Sequence, residues 1–398
     1  MTEKQWVLTD VAGGIWLDDF DLDPQDGPSL EGATNWSVQK RTLQGGVSAG
    51  VDVVEVDNGR LTMSILPTRG MGLWKGACDG LALGWNSPVP QPVNPAFVNQ
   101  TDRGGLGWLS GFNELLCRCG LASNGAPGTD VTKNDNGNTT ETELTLHGKI
   151  ANTPAHRVAV SISDSDAGTI SVTGTVDETM LFGPSLQLVS TFTTTAGSNS
   201  FSIIDEVRNL QGTPAELELL YHTNFGKPLL EEGAKLVAPI LEMAPRDAHA
   251  AADIDSYNVY LGPTAGYAEQ CYFFELAADE TGHTRVLLRN RAGDCGLSMR
   301  YTKSQLPWLT QWKCTQPEAD GYVTGIEPGT DFPNLKTVER DHGRVVILPP
   351  GGTYQVRIDF EIHGTAETVA ATEHEIRALQ EHFVPKVHRS PHPKYSGS

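Results

Sequence analysis

The chain has 398 residues, 49 acidic against 29 basic, and a formal charge of −20, a balance that argues against a polyanionic partner such as nucleic acid or an anionic membrane surface. A hydrophobic share of 38% with 20% charged residues supports a sizeable globular core rather than disorder, and 42 glycines with 24 prolines supply the turns that many short strands need. The six cysteines (Cys78, Cys117, Cys119, Cys271, Cys295, Cys314) form neither a disulfide framework nor a C-x-x-C pair.

Residues 1–50 are acidic and rich in Pro and Gly, and read as an irregular N-terminal extension packed on the main body. The start lacks the apolar core of a signal peptide and no apolar run reaches membrane-spanning length, so a cytoplasmic location is expected. From 51 onward period-two patterns recur. Residues 51–56 lead through Asp57-Asn58-Gly59 into 60–65, which reads as a hairpin. Further strands are expected at 143–147, 156–163, 168–176, 186–195, 200–209, 215–221, 271–276, 284–290, 295–301, 308–314, 322–326, 344–348 and 353–363. Turn residues separate them, and the whole of 51–363 reads as one all-β, large antiparallel β-sandwich. Helical periodicity is confined to 366–383, where Val369, Ile376, Leu379 and Phe383 share a face. A C-terminal helix and frayed tail are thus expected over 364–398.

Cys117 and Cys119 are two apart and would share one strand face as buried thiols, with a soft-metal site as the minor alternative; Arg118 would point the other way. A histidine in Tyr221-His222-Thr223-Asn224-Phe225-Gly226 and a glutamate in Gly325-Ile326-Glu327-Pro328-Gly329-Thr330 both lie where apolar strands give way to turn residues. A His and a Glu converging on one cleft form a donor and an acceptor able to work near neutral pH. On its own, His222 fits a core histidine equally well, and Glu327 fits a turn carboxylate. Proline at 328 restricts Glu327 to extended backbone, which fixes where the side chain points.

Four segments in this order resemble the aldose 1-epimerase (galactose mutarotase-like) superfamily, in the branch catalogued as a domain of unknown function. They are Phe112-Asn113-Glu114-Leu115-Leu116-Cys117-Arg118, Leu146-His147-Gly148, the His222 segment and the Glu327 segment. The resemblance spans roughly 50–363 and implies a galactose mutarotase-like supersandwich. It also implies His222 as catalytic acid, Glu327 as catalytic base, and His147 and Arg118 as sugar contacts. Asn224, and Glu269 within Gly266-Tyr267-Ala268-Glu269-Gln270, join the implied substrate-binding set. The chain departs from better-known members at Tyr221, where an asparagine is usual, and in its N-terminal 50 residues and C-terminal helix.

Arg69, in Pro67-Thr68-Arg69-Gly70, follows a strand among flexible residues and is placed as a ligand contact, since a guanidinium suits vicinal hydroxyls or an acidic group on a sugar; an internal ion pair is the competing role. Trp308 and Trp312 share a strand face. Such aromatics are more often core, and Trp312 is placed as a platform for a sugar ring. Trp74, Trp85 and Trp108 are placed near the cleft.

The resulting expectation is an aldose 1-epimerase acting on a free sugar or sugar derivative, with no cofactor and no metal. The partner is a small-molecule carbohydrate, with no nucleic acid and no membrane. The competing functions are another proton transfer on a sugar (isomerase, epimerase at another carbon, or lyase) and a non-catalytic carbohydrate-binding protein.

Overall fold

The computed structural model describes residues 3–133, 136–165 and 167–396. Strict alternation builds it. The strands Thr169–Thr179 and Ser185–Thr195 turn Ile170, Val172, Val176, Leu186, Leu188 and Phe192 inward. Their Ser and Thr residues face out, bonded across the strands at Ser171–Thr193 and Thr173–Thr191 (both 2.9 Å).

Among the described residues these strands belong to a ten-stranded sheet that faces a second sheet of thirteen strands. The larger sheet runs from Ile240–Pro245 through Gln270–Leu276, Trp308–Cys314, Val323–Gly329, Leu220–Phe225 and Leu116–Cys119 to Gly72–Cys78, Leu61–Leu66, Asp52–Asp57 and Ser37–Thr42. Pairing is antiparallel throughout its centre. One continuous apolar core fills the space between the sheets, with Val54, Ile65, Leu116 and Ile326 from one side and Val172, Leu188, Ile203 and Ile358 from the other. Each such side chain stabilises the fold by about 1.5–3 kcal/mol relative to exposure. The antiparallel β-sandwich and the C-terminal helix, Ala366–Gln380, are present as expected. The helix is capped by Thr365 and buries Val369 and Ile376.

Several local expectations are corrected. Residues 1–50 are not an irregular appendage: Glu3–Asp10 pairs with Arg157–Ser163, and Ser37–Thr42 pairs with Asp52–Asp57, so both sheets take strands from this segment. Its Trp36, Val38 and Leu8 are core residues, an apolar content outweighed in sequence by the acidic run at 18–21. The strand expected at 143–147 ends at Leu144, pairing with Gly128–Lys133. The segment 215–221 divides into Ala215–Leu217, which pairs with Val346–Leu348, and Leu220–Phe225 in the large sheet. The tail is anchored rather than frayed. Lys386–Val387 pairs in parallel with Glu242–Met243, and Tyr395 is buried against Phe332, whereas Phe383 is exposed.

The outer face of the thirteen-stranded sheet is covered by two long connections. One, between Leu81–Leu83 and Leu116–Cys119, carries Trp85, Trp108 and Phe112; the other, between Thr139–Leu144 and Arg157–Ser163, carries His147.

Candidate active site

Strand register determines which side chains meet on this outer face. Thr223 pairs with Ile326, which puts His222 beside Glu327. Cys117 flanks His222 on one side and Thr310 flanks Glu327 on the other. The adjoining row is Asn224, Gly325, Trp312 and Cys271. His222 and Glu327, separated by more than a hundred positions in the chain, thus become neighbours through one antiparallel ladder. Gly325 makes room for their contact, because a Cβ there would lie 2.1 Å from Glu327 Oε1 and 3.2 Å from His222 Cε1.

His222 Nε2 stands 3.2 Å from Glu327 Oε1. The approach is off-line for a hydrogen bond, so Oε1 is a buried carboxyl oxygen without a hydrogen-bond partner. On the other side of the ring, Nδ1 lies 2.6 Å from Asn224 Oδ1. The Asn224 amide nitrogen donates to the Glu114 and His222 carbonyls at 3.0 and 3.1 Å, which makes its oxygen the acceptor and Nδ1–H the donor. Nε2 is therefore the nitrogen that exchanges a proton toward the carboxyl.

Burial pushes the Glu327 carboxyl well above the usual range, with the negative charge of Glu269 adding and Arg246 opposing. Burial pushes His222 well down, His147 repels its charged form, and the bond to Asn224 partly offsets both. Both shifts favour the uncharged pair, in which the proton of the couple rests on Glu327, and its transfer to His222 makes the carboxylate and the imidazolium.

His147 lies in the turn after Leu144, with φ of +58°, a conformation uncommon for a side chain of this size. Its Nδ1 donates to the Asn124 carbonyl at 2.8 Å, leaving Nε2 with the lone pair, and burial lowers its pKa to about 4. Its ring meets His222 edge-on at 5.3 Å. Phe112 (5.1 Å), Trp312 (5.6 Å) and Trp108 (6.1 Å) complete an aromatic surround for His222. Trp85 packs behind Phe112 at 5.0 Å, tilted by 49°.

Of the residues singled out in sequence, the structure brings together His222, Glu327, His147, Trp312 and Glu269. Glu269 accepts from the Trp312 indole at 2.7 Å. Three substrate contacts are corrected. Arg118 points between the sheets, where it pairs with Asp205 and donates to Ser190 and to the Gly70 and Met71 carbonyls. Its face of the strand is the interior, and it has no exposed surface to offer a ligand. Arg69 is likewise buried, committed to Glu114 (2.6 Å), Asn152 (2.7 Å) and the Val93 carbonyl (3.1 Å), so it clamps the covering connections onto the sheet. Asn224 is fully buried and orients His222 rather than meeting solvent. Trp308 packs on Phe332, and Trp74 packs beside Val51 and Val53, both outside this surround.

Arg246 and Phe112 are the residues that the sequence reading leaves out. Phe112 stands within a segment already singled out, and its cue is an aromatic beside Asn113-Glu114. Arg246 has only a weak local signal, an arginine between the strand end at Pro245 and the helix cap Asp247. Its Nη2 donates to Glu269 Oε1 at 3.0 Å. All six cysteines are free thiols, five of them buried, and among the described residues no cluster of three or more His, Cys, Asp or Glu is arranged to hold a metal.

Comparison with known proteins agrees with this architecture. The model of a domain of unknown function, DUF4432, matches residues 48–362. A solved structure from Klebsiella pneumoniae subsp. pneumoniae MGH 78578, provisionally described as an aldose 1-epimerase, is 36% identical with a TM-score of 0.91; the match covers 98% of this chain and 99% of that one. A galactose mutarotase-like protein from Clostridium acetobutylicum is 15% identical with a TM-score of 0.56, over 82% of this chain and 98% of that one. A galactose 1-epimerase from Lactobacillus acidophilus NCFM is 13% identical with a TM-score of 0.52, over 85% and 100%. The last two likenesses show the fold alone. No curated protein matches the chain. The chain belongs to the DUF4432 family and has the galactose mutarotase-like fold.

Proposed function

We propose that the cleft interconverts the α and β anomers of an aldose. The observation that carries this reading is the contact of His222 Nε2 with the buried, unpartnered Oε1 of Glu327 at 3.2 Å. Anomer exchange needs a proton removed from the C1 hydroxyl and another delivered to the ring oxygen. Both oxygens are bonded to C1, so acceptor and donor must adjoin. When the shared proton resides on His222, Glu327 is the carboxylate that takes the O1 proton and the imidazolium gives its Nε2 proton to the ring oxygen. The C1–ring oxygen bond breaks to the open-chain aldehyde, the C1–C2 bond rotates, and closure on the other face reverses both transfers.

The nature of the surround supports a neutral sugar. Trp312, which is half-buried, and Phe112 offer rings for the apolar face of a pyranose or furanose with Trp108 buried behind them, and His147 Nε2 offers one acceptor for a hydroxyl. Arg246, the cation that acts on Glu327, is already matched by Glu269 and Asp247, which leaves little net positive charge for a carboxylate or sulfate.

Saturation-transfer NMR between anomers, run against a panel of neutral and acidic aldoses, tests the reading. Exchange above the buffer rate for neutral sugars, lost in Glu327→Gln, is the expected result. Binding without exchange would instead identify a sugar-binding protein, and new carbon resonances would identify a different proton transfer. Either outcome overturns the proposal.

A further inference from the structure

Arg246 stands apart from the acid–base pair and is nevertheless wired to it. Its backbone N–H donates to the Cys271 carbonyl at 2.9 Å, which extends the row Asn224–Gly325–Trp312–Cys271 onto the neighbouring edge of the sheet. From there the guanidinium reaches Glu269 Oε1 at 3.0 Å, and the other Glu269 oxygen accepts from Trp312 Nε1 at 2.7 Å. The Trp312 ring in turn meets His222 at 5.6 Å and 66°. Glu269 itself is half exposed, on a connection that turns at Gly266 (φ +73°) before the strand Gln270–Leu276. Its two partners use one oxygen each, so Arg246 is what holds the carboxylate in the orientation that receives the indole.

We infer that Arg246 is a positioning residue for the reaction: through Glu269 it fixes the Trp312 ring as a wall for the sugar beside His222 and Glu327. The inference rests on the acid–base reading of the cleft. A charge-assisted bond at each end of Glu269 makes the relay directional, since the planar guanidinium orients the carboxylate plane and the carboxylate then orients the indole edge. A ring held in this way meets the substrate without paying rotamer entropy on binding.

The same relay places opposite charges near Glu327. Arg246 opposes the rise in its pKa and Glu269 reinforces it. The other titratable groups facing Glu327 are His222 across the ladder and the thiols of Cys117, Cys119 and Cys271; His147 stands beyond His222, and Asp247 pairs with Arg246 at 3.2 Å. Substitution at 246 or 269 leaves these groups in place, although Asp247 loses its partner in Arg246→Met, and Cys271 and His147 also feel the charges of this relay.

The test uses the full chain with Arg246→Met, Arg246→Lys and Glu269→Gln. In anomer-exchange kinetics on a neutral aldose, Arg246→Met and Glu269→Gln should each raise KM about tenfold while kcat changes far less, and Arg246→Lys should recover part of the loss. The acid limb of kcat/KM should move to higher pH in Arg246→Met, which removes a positive neighbour of Glu327, and to lower pH in Glu269→Gln, which removes a negative one. A purely structural role would lower kcat/KM in both variants with no opposed movement of the limb. Independently of activity, the 15N-indole signal of Trp312, assigned through Trp312→Phe, should shift and exchange its proton faster in Arg246→Met. An unchanged indole signal together with an unchanged KM overturns the inference. If the wild-type chain exchanges no anomers, the acid–base reading fails, and the indole signal alone decides whether Arg246 holds Trp312.

Discussion

Two buried polar clusters lie back to back on the strand Leu220–Phe225, one residue apart, and they are built to opposite specifications. Facing inward, the Tyr221 hydroxyl donates to Asp205 at 2.9 Å. Arg118 spends its guanidinium on the same carboxylate, on Ser190 and on two backbone carbonyls. Every charge there is paired and every donor is directed. Facing outward, His222 and Glu327 touch without a proper hydrogen bond, and the carboxyl keeps an unpartnered oxygen. A satisfied buried network resists change, whereas an incomplete one carries a standing cost that a substrate hydroxyl can relieve. Completeness of hydrogen bonding, rather than burial or charge, separates the inner cluster from the outer pair.

The comparison is sharpest if each cluster can be broken without disturbing the other. Glu327→Gln should lower the anomer exchange rate by about 10²–10⁴-fold, the range for loss of general acid–base catalysis. It should leave the denaturation midpoint unchanged or slightly raised, because an ill-placed acid is exchanged for a neutral amide. Steady-state exchange by NMR and urea titration of the same preparation check both halves. Asp205→Ala should do the reverse. It leaves Arg118 as an unpaired interior cation, and breaking such a pair costs about 3–5 kcal/mol of folding stability. The folded fraction should retain its KM. A variant that loses chemistry and stability in equal measure would erase the distinction.

Acidity offers a smaller effect of the same kind. His147 has its pKa lowered to about 4 in the fold against 6.5 in its absence. A lowered histidine contributes stability that is complete above the unfolded value and is lost as pH falls from 6.5 toward 4. The shift corresponds to on the order of 3 kcal/mol at most. Thermal melts between pH 7 and 4 should therefore fall more steeply for the wild-type chain than for His147→Gln. Parallel slopes would mean that His147 is solvated rather than buried.

These two clusters also show how far a sequence can be read. Alternation correctly sets Arg118 on the face opposite Cys117 and Cys119, and all three belong to one short-range pattern. What alternation does not reveal is which face is the interior. The thiols face the outer, covered side of the sheet, packed with Trp108, Phe112 and Leu220, and the arginine faces the core, where Asp205 on the other sheet supplies its counter-charge. Nothing near Arg118 in sequence announces that partner. His222 and Glu327 were legible through the short motifs they belong to, although both lie within strands, Leu220–Phe225 and Val323–Gly329, rather than where strands give way to turns. Arg246 was not, because its relation to Trp312 exists only through register across neighbouring strands. The strands of residues 1–50 were obscured by acidic composition, although Trp36 and Val38 are among the most buried residues of the fold.

The finest division between the two faces runs through Asn224, a fully buried amide that belongs by its hydrogen bonds to the structural kind and by its position to the reactive one. It gives both amide protons to backbone carbonyls and uses its oxygen to hold His222 Nδ1–H. That bond raises the pKa of His222 against the larger effect of burial. Asn224→Leu removes it, so the imidazolium becomes harder to form and the alkaline limb of kcat/KM should move to lower pH. Loss of one neutral hydrogen bond is worth about 1 kcal/mol, so the rate at the optimum should fall by roughly fivefold to tenfold. Asn224→Asp supplies a carboxylate to the same nitrogen, favours the imidazolium, and should move the limb to higher pH. Opposite movements would mark Asn224 as the residue that sets which nitrogen of His222 carries the working proton. Equal losses of rate with an unmoved limb would place it wholly with the structural cluster.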